Sequence, residues 1–432
     1  MTARFSKHLA HAVLVIVFAP SVVLAQGNKE PVTGGKPLSH WVGQLKSLQT
    51  KARFEAARRI GDLREKALPA LDALVATLGD GDPTVRAAAS EGLRWIGPAG
   101  TAAVPALITA AGDADKGVRR AAALALGEIS RKEGGKAVPV LTGLLEDREK
   151  EVRVNAALAL GKIGDKATGA TPALTKALTD SEAMVRERAA YTLGMLGAEA
   201  RDATPALIKA LADPDKSVRE NSSRALASIK ADPAVAVPAL ISVLKDKDES
   251  VRSTAAIALG EIGPSAAPAV PDLIAALRDP SRTFRNGAKY ALGRIGKPAV
   301  GPLLEALKDK VVQVEVMQAI GRVGSAAAEA TPALRQQLKD PGPLHRASAA
   351  AALGCIGEPA KAAVPDLIVL LSDKDDDVRV VVAGSLRWFS SEAKAAIPIL
   401  KTMTGDKNPN VKEAAAEALQ FIEPKGTRPN QG

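Results

Sequence analysis

A leucine or isoleucine returns along this chain at a nearly constant interval. It stands at Ile60, Leu93, Leu126, Leu160, Leu193, Leu226, Leu259, Leu292, Ile320, Leu353, Leu386 and Leu419, and glycine follows it at eight of the twelve positions. The interval is about 33 residues, a period at which one small unit, unable to bury its own apolar face, is stacked many times over. One step, from Leu126 to Leu160, is longer by a single residue, and one, from Leu292 to Ile320, is shorter by five. Each unit contacts only its neighbours, so the 432 residues do not imply several separate domains. The expected fold is all-α, a right-handed α-solenoid of about twelve two-helix units spanning residues 37–422.

One unit can be read at the level of residues. In Val237–Gly263 a first helix is predicted to open at Val237-Pro238, because proline tolerates the first helical turn. Where threonine precedes the proline, at Thr171, Thr204 and Thr331, its hydroxyl is expected to act as the helix N-cap. Leu240, Ile241 and Leu244 give the first helix one apolar face. A turn at Asp246 leads to a second helix from Val251, with Ala255, Ala256, Leu259 and Ile262 inward. Gly263 is expected to end it in a left-handed conformation. The recurring glycine inside the second helix costs about 1 kcal/mol against alanine, so its return predicts a neighbouring backbone close by. Aromatic residues make up only 3% of the chain, and paired alanines leave leucine, isoleucine and valine to fill the seams.

A charge register runs with the apolar one. Aspartates at each turn (Asp80, Asp113, Asp147, Asp180, Asp213, Asp246, Asp279, Asp340, Asp373, Asp406) precede a base by six residues (Arg86, Arg119, Arg153, Arg186, Arg219, Arg252, Arg285, Arg346, Arg379, Lys412). Bidentate arginine–carboxylate pairing suits a structural ladder that fixes each turn and links adjacent units. The acidic runs Asp373, Asp375, Asp376, Asp377 and Asp246, Asp248, Glu249 lack calcium-loop spacing and sit where acids favour a helix N-terminus. The eighth unit, between Gly293 and Gly321, is five residues short, has a clipped turn at Asp309-Lys310 and carries Gln313 in the arginine column.

The ends read differently. Arg4, Lys7 and His8 precede an apolar run, and Val23-Leu24-Ala25 offers small residues for cleavage before Gln26. The run Ala12–Ala25 falls short of the roughly 20 residues that span a bilayer. Residues 1–25 are therefore read as a signal peptide and the protein as exported, periplasmic or extracellular. No later stretch is apolar enough for a span. Gln26–Lys36 reads as a flexible lead and residues 423–432 as a flexible tail. The net charge is +10, and +8 once Arg4 and Lys7 leave. Acids and bases are interspersed, which favours solubility over nucleic-acid binding. Cys355 is the one cysteine, so no intrachain disulfide forms.

Chemistry finds little foothold. Neither G-x-x-x-x-G-K, G-x-S-x-G, H-E-x-x-H nor C-x-x-C occurs, and only His40 and His345 lie beyond the leader. No cofactor and no metal is expected. Asn221-Ser222-Ser223 matches a glycosylation sequon within a predicted helix. Cys355 has no activating base nearby in the sequence.

The unit [VT]-P-A-L-x-x-A-L-x-D-x-x-x-x-V-R-x-x-A-A-x-A-L-G-x-I-G resembles the short HEAT-like repeat of the phycobilin-lyase type, over about 390 residues. The ankyrin T-P-L-H-x-A and tetratricopeptide W-x2-L-G-x2-Y patterns are absent. The resemblance implies a helical solenoid. Among HEAT-like relatives, deoxyhypusine hydroxylases hold two irons with His-Glu pairs, which this chain lacks. Alkylpurine DNA glycosylases of this kind use a basic face, and phycobilin lyases modify a partner's cysteine; neither supplies a residue match here.

In such solenoids the second helices line the concave face. Their third or fourth, seventh and eleventh positions, counted from the valine, lie off the core; the last two carry Leu124, Leu158, Tyr191, Met195, Ile257 and Tyr290, and Arg188, Arg224, Arg294 and Arg322 stand among these residues. Apolar and aromatic residues ringed by arginine suit a protein–protein interface; the same residues would also suit packing between neighbouring helices. Trp95 and Trp388 are expected to cover the terminal units. The sequence therefore predicts a non-catalytic scaffold for a protein or peptide partner, centred on units four to eight. An enzyme or accessory subunit with a relative's chemistry is the alternative, and nucleic-acid binding the third reading.

Overall fold

The computed structural model describes residues 30–131 and 134–423. The expected signal peptide and its cleavage site, residues 26–29 and residues 424–432 lie outside them. Among the described residues 24 α-helices run in pairs, first helix then second helix, twelve times over. Most second helices have 14 residues, as in Pro83–Ile96, Lys116–Ile129 and Glu249–Ile262; first helices are shorter, as in Val104–Ala110 and Thr204–Ala210.

The repeat columns are the core. Ala255, Ala256 and Leu259 of the second helix and Leu240 of the first are fully buried, and the second-helix columns stay closed from Ala56, Ala57 and Ile60 to Val382, Ala383 and Leu386, opening only at the last unit, where Ala416 is exposed. Ile262 and Ile241 are half-buried. The buried side chains form one continuous cluster along the whole stack, as expected when each unit completes its core against the next.

Second helices of successive units pack closely throughout, while successive first helices touch at few points. The glycine of the repeat is the cause. A Cβ at Gly61 would lie 3.1 Å from the Cα of Gly92, at Gly194 3.3 Å from the Cα of Ala225, and at Gly260 3.0 Å from the Cα of Ala291. Each glycine thus faces a small residue of the next second helix, and two backbones meet there. Successive second helices are thus drawn together more closely than successive first helices.

The joints between units differ from the sequence reading. The glycine ending the second helix has positive φ, but Gly263 combines φ 77 with ψ -142. That lies outside the left-handed helical well, in a region that only glycine occupies easily. It leads into a 3-10 segment such as Gly263–Ala269 or Gly164–Ala170, and the first helix grows directly from that. Thr171, Thr204 and Thr331 are therefore not N-caps. The chain before them is already helical, and the hydroxyls of Thr204 and Thr331 donate back to the carbonyls of Arg201 (2.6 Å) and Ala328 (2.7 Å). In the seventh unit the first helix opens at Pro233, not Val237; the Asp232 carboxylate accepts from the Ala234 amide (3.0 Å), and Pro238 lies inside the helix.

The lead is structured from residue 30. Val32–Thr33 and Lys36–Pro37 form a small antiparallel hairpin across Gly34 and Gly35, both at positive φ, which is the requirement of a tight two-residue hairpin turn. Trp41 donates its indole N–H to the Thr33 carbonyl (3.0 Å), fastening the hairpin to the first helix, Leu38–Gln44. Counted from the first pair, Leu38–Gln44 with Thr50–Asp62, the short unit is the ninth rather than the eighth. Its 3-10 segment shrinks to Lys297–Ala299, 3 residues, and its second helix, Gln313–Val323, to 11. The shortening is thus shared between the joint and the turn.

Candidate functional site

The aspartate–arginine register is a chain of rungs between units. Each arginine donates to the carbonyls of its own turn and reaches forward to the aspartate of the next. Arg119 bonds the carbonyls of Asp113 (3.0 Å) and Ala114 (2.9 Å), and grips Asp147 through Nε (2.7 Å) and Nη2 (2.9 Å). The same link joins Arg53 to Asp80, Arg86 to Asp113, Arg153 to Asp180, Arg186 to Asp213, Arg219 to Asp246 and Arg346 to Asp373. Arg252–Asp279 is a single contact at 3.1 Å, and Arg379 meets Asp406 at 3.2 Å. The six-residue pair seen in the sequence is joined through the aspartate's backbone; its side chain serves the preceding unit. The Arg86 guanidinium holds the Asp113 carboxyl below the usual carboxylate range, and Arg346 does so for Asp373, outweighing the effect of burial. The acidic runs are occupied too: Asp375 caps the Val378 amide, and Asp376 binds Arg379 and Asn408.

The ladder breaks at the short unit. Arg285 keeps its own turn but meets Glu315 at 3.6 Å in place of an aspartate. Gln313 donates to the Leu307 carbonyl (2.9 Å) and reaches no partner unit. Asp340, left without an arginine, accepts from the Gly342 amide (2.8 Å) and lies 3.6 Å from His345. Asp309 is taken by Arg278.

On the second-helix row, Tyr191, Met195, Ile257, Arg224, Arg294 and Arg322 are exposed. Leu124, Leu158, Arg188 and Tyr290 are half-buried. With Leu124 and Leu158 of units three and four half-buried, the open part of the row runs from unit five to unit nine. Tyr290 gives its hydroxyl to Glu261, and Arg224 donates to the Asn221 side chain (3.0 Å). Cys355 is also exposed on this row. Partial desolvation pushes its thiol up, against the pull of Arg322, which is the opposite of an activated thiolate. Asn221 is inside the helix Lys216–Ser228 with its amide on the Ser217 carbonyl (2.9 Å), which gives the sequon a structural role.

Two features were not found by sequence reasoning. A groove of about 390 Å³ runs over the second helices of units one to three. Phe54 and Trp95, 38% and 44% exposed, stand over a floor of Gly61, Ala87, Ala88, Gly92 and Ala121. The signal was Phe54 itself, a large ring directly after the ladder arginine Arg53. Beside the groove, the Arg94 guanidinium stacks on Trp95 at 4.2 Å and that of Arg64 at 5.3 Å, both within cation–π range. Trp95 thus belongs to an open surface. Trp388 is open as well, at 62% exposed; the helix there ends at Leu386, and Ser390, at φ 44, takes the place of the usual glycine.

No group of three or more His, Cys, Asp or Glu placed to hold a metal occurs among the described residues, and no helix there is long and apolar enough to cross a membrane.

A stack of paired helices with a closely packed second-helix row and a regular polar ladder defines a helical-repeat solenoid. Comparison with family models gives the match HEAT repeats, in overlapping segments 38–126, 104–194, 171–237, 204–270, 237–314, 302–367 and 364–429; the chain belongs to the HEAT-repeat family. No curated protein matches its sequence. Among solved structures it is similar to the karyopherin Kap121p bound to the extreme C-terminus of the protein phosphatase Cdc14p (TM-score 0.60, 16% identity, 89% of this chain and 50% of that one). Kap121p bound to Nup53p gives TM-score 0.60 and 15% identity over 89% of this chain and 49% of that one. Kap95p in complex with RanGDP gives TM-score 0.55 and 14% identity over 89% and 61%. The chain spans about half the length of the Kap121p structures, and at these identities the likeness is one of fold.

Proposed function

We propose that this protein is an exported, non-catalytic scaffold that holds a protein or peptide on its second-helix row between units five and nine. One observation carries the reading. Most arginines among the described residues are spent on a carboxylate, yet Arg224, Arg294 and Arg322 stand exposed on that row with no acid within ion-pair distance there, beside exposed Tyr191, Met195 and Ile257. Exposed aromatic, methionine and arginine side chains are what protein interfaces concentrate. Support also comes from the solenoids of like fold, which were solved holding the C-terminus of Cdc14p and holding Nup53p. Export rests on the basic, apolar and small-residue order of residues 1–25.

The test is affinity capture from the exported fraction with the mature chain from Gln26 and with a Met195→Glu/Arg224→Glu variant, quantified by mass spectrometry. The expected result is a partner retained by the wild type and depleted about tenfold or more by the variant, since central hot-spot residues cost about 2 kcal/mol or more each. Equal capture by both forms would move the binding surface elsewhere, and an uncleaved chain inside the cell would remove export.

A further inference from the structure

The seam between the second helices of units eight and nine differs from the others. Elsewhere the repeat glycine faces alanine, glycine, serine or threonine and the helices close on each other. Here a lysine, Lys289, is buried in the seam, with only 8% of its surface open and its ammonium 2.6 Å from the Gln318 side-chain oxygen. Around it lie Arg282, Arg285 and Arg322, with Glu315 as the acid that acts on it most. Burial pushes Lys289 down, and the three arginines add to that against the pull of Glu315. Arg294 extends the cluster along the row: it follows Gly293, whose would-be Cβ lies 2.7 Å from the Cβ of Arg322.

The local charge is one-sided. Glu315 is engaged by Arg285 and Glu261 by the Tyr290 hydroxyl. Among the described residues, Arg282, Arg294 and Arg322 have no carboxylate within ion-pair distance. This is also where the ladder has lost its rung, so cations are concentrated where the structural use for them is gone. Unpaired guanidinium groups around a desolvated ammonium raise each other's energy, and an incoming carboxylate relieves them all.

Building on the scaffold reading, we propose that this cationic seam is the docking site for an acidic peptide segment, whose side-chain carboxylates are gripped by Arg294 and Arg322. Nearby Ile257 and Tyr290 supply apolar contact. A single-stranded nucleic acid fits less well, because its bases would find no stacking platform. The half-buried Tyr290, its hydroxyl held by Glu261, offers no free ring for a base to stack on.

The experiment is fluorescence anisotropy of the folded mature chain with a fluorescein-labelled oligoglutamate peptide, with oligolysine and single-stranded oligothymidylate of matched charge as comparisons. Oligoglutamate is expected to bind best and to weaken as salt rises. Arg294→Glu/Arg322→Glu is expected to weaken it about tenfold or more, since each lost charge-assisted bond is worth about that factor. Arg294→Gln/Arg322→Gln should show the same direction with less disturbance of the fold. Arg120→Glu, an exposed unpaired arginine of unit three, should change affinity by less than about twofold. No oligoglutamate binding, an equal loss in Arg120→Glu, or tighter binding of oligothymidylate would each overturn the acidic-peptide site. Capture of a protein through Met195 and Arg224 would survive the first of these outcomes, so the two readings fail separately.

Discussion

Arg119→Ala is expected to destabilise the stack by about 2–3 kcal/mol, more than the ~0–1 of a surface ion pair and less than the ~3–5 of a fully buried one. Both Arg119 and Asp147 are 8% exposed yet sit at the rim of the turn. The change removes two bonds to Asp147 and two to the turn carbonyls at once, leaving Asp147 with its bond from the Glu149 amide (2.9 Å). In a solenoid, where stability adds unit by unit, the loss is local: hydrogen exchange should rise in units three and four before the global transition moves. A pH test is built in. Burial raises the Asp147 carboxyl, but the bonds from Arg119 and the Glu149 amide outweigh it and the folded value is lowered. The rung's contribution is therefore present above the unfolded value of about 3.9 and lost as pH falls through the folded one. The stability gap between wild type and variant should close over that acid range; a gap that stays constant there would show that the ion pair is not what was lost.

Glycine-to-alanine exchanges should change sign along the chain. In an exposed helix interior the substitution stabilises by about 0.5–1 kcal/mol. Gly143, in the first helix Val138–Leu144, has nothing within 4 Å of a would-be Cβ, and Gly143→Ala is expected to follow that rule. Gly127 is the opposite case, for a Cβ there falls 2.6 Å from both Cα and Cβ of Ala159 in the next second helix. Gly127→Ala must push two backbones apart and is expected to cost about 1–3 kcal/mol, and Gly127→Leu more. Thermal unfolding of the three variants is enough to test this. Equal stabilisation at both sites would mean that the second helices do not meet closely at the repeat glycine.

The period made the architecture readable, because any residue returning at one fixed interval has to do the same structural job in each unit. Leu259, Ala255 and Ala256 could be placed in the core on that ground, and the close backbone at the glycine followed from its cost. The joints were hidden: a run such as Gly-Asp-Lys-Ala-Thr-Gly-Ala, residues 164–170, has neither helix nor strand periodicity, and it folds as a 3-10 segment only because Ala167 and Ala170 are buried beneath the neighbouring units. Partners in the ladder were hidden for a similar reason. The register shows aspartate six residues before arginine, whereas the side chains meet 27 or 28 residues apart, a distance set by how one unit sits on the next. On the second-helix row, Leu124 and Tyr191 occupy the same column, yet one is half-buried and the other exposed. That difference depends on the neighbour's side chains, which a column read alone does not contain. The hairpin at Gly34-Gly35 was missed: residues 26–36 were read as a flexible lead, although a glycine pair between two short runs is a turn signal.

The central claim is that a partner lies on the second-helix row. In-cell photo-crosslinking from Tyr191 and from Tyr290, with Val369 on the first-helix row as a comparison, tests it most directly; Tyr191 and Val369 are 38% and 72% exposed. The expected result is one dominant protein adduct shared by Tyr191 and Tyr290 and absent from Val369. Adducts from Val369 alone, or none from either tyrosine in a folded and exported protein, would contradict it.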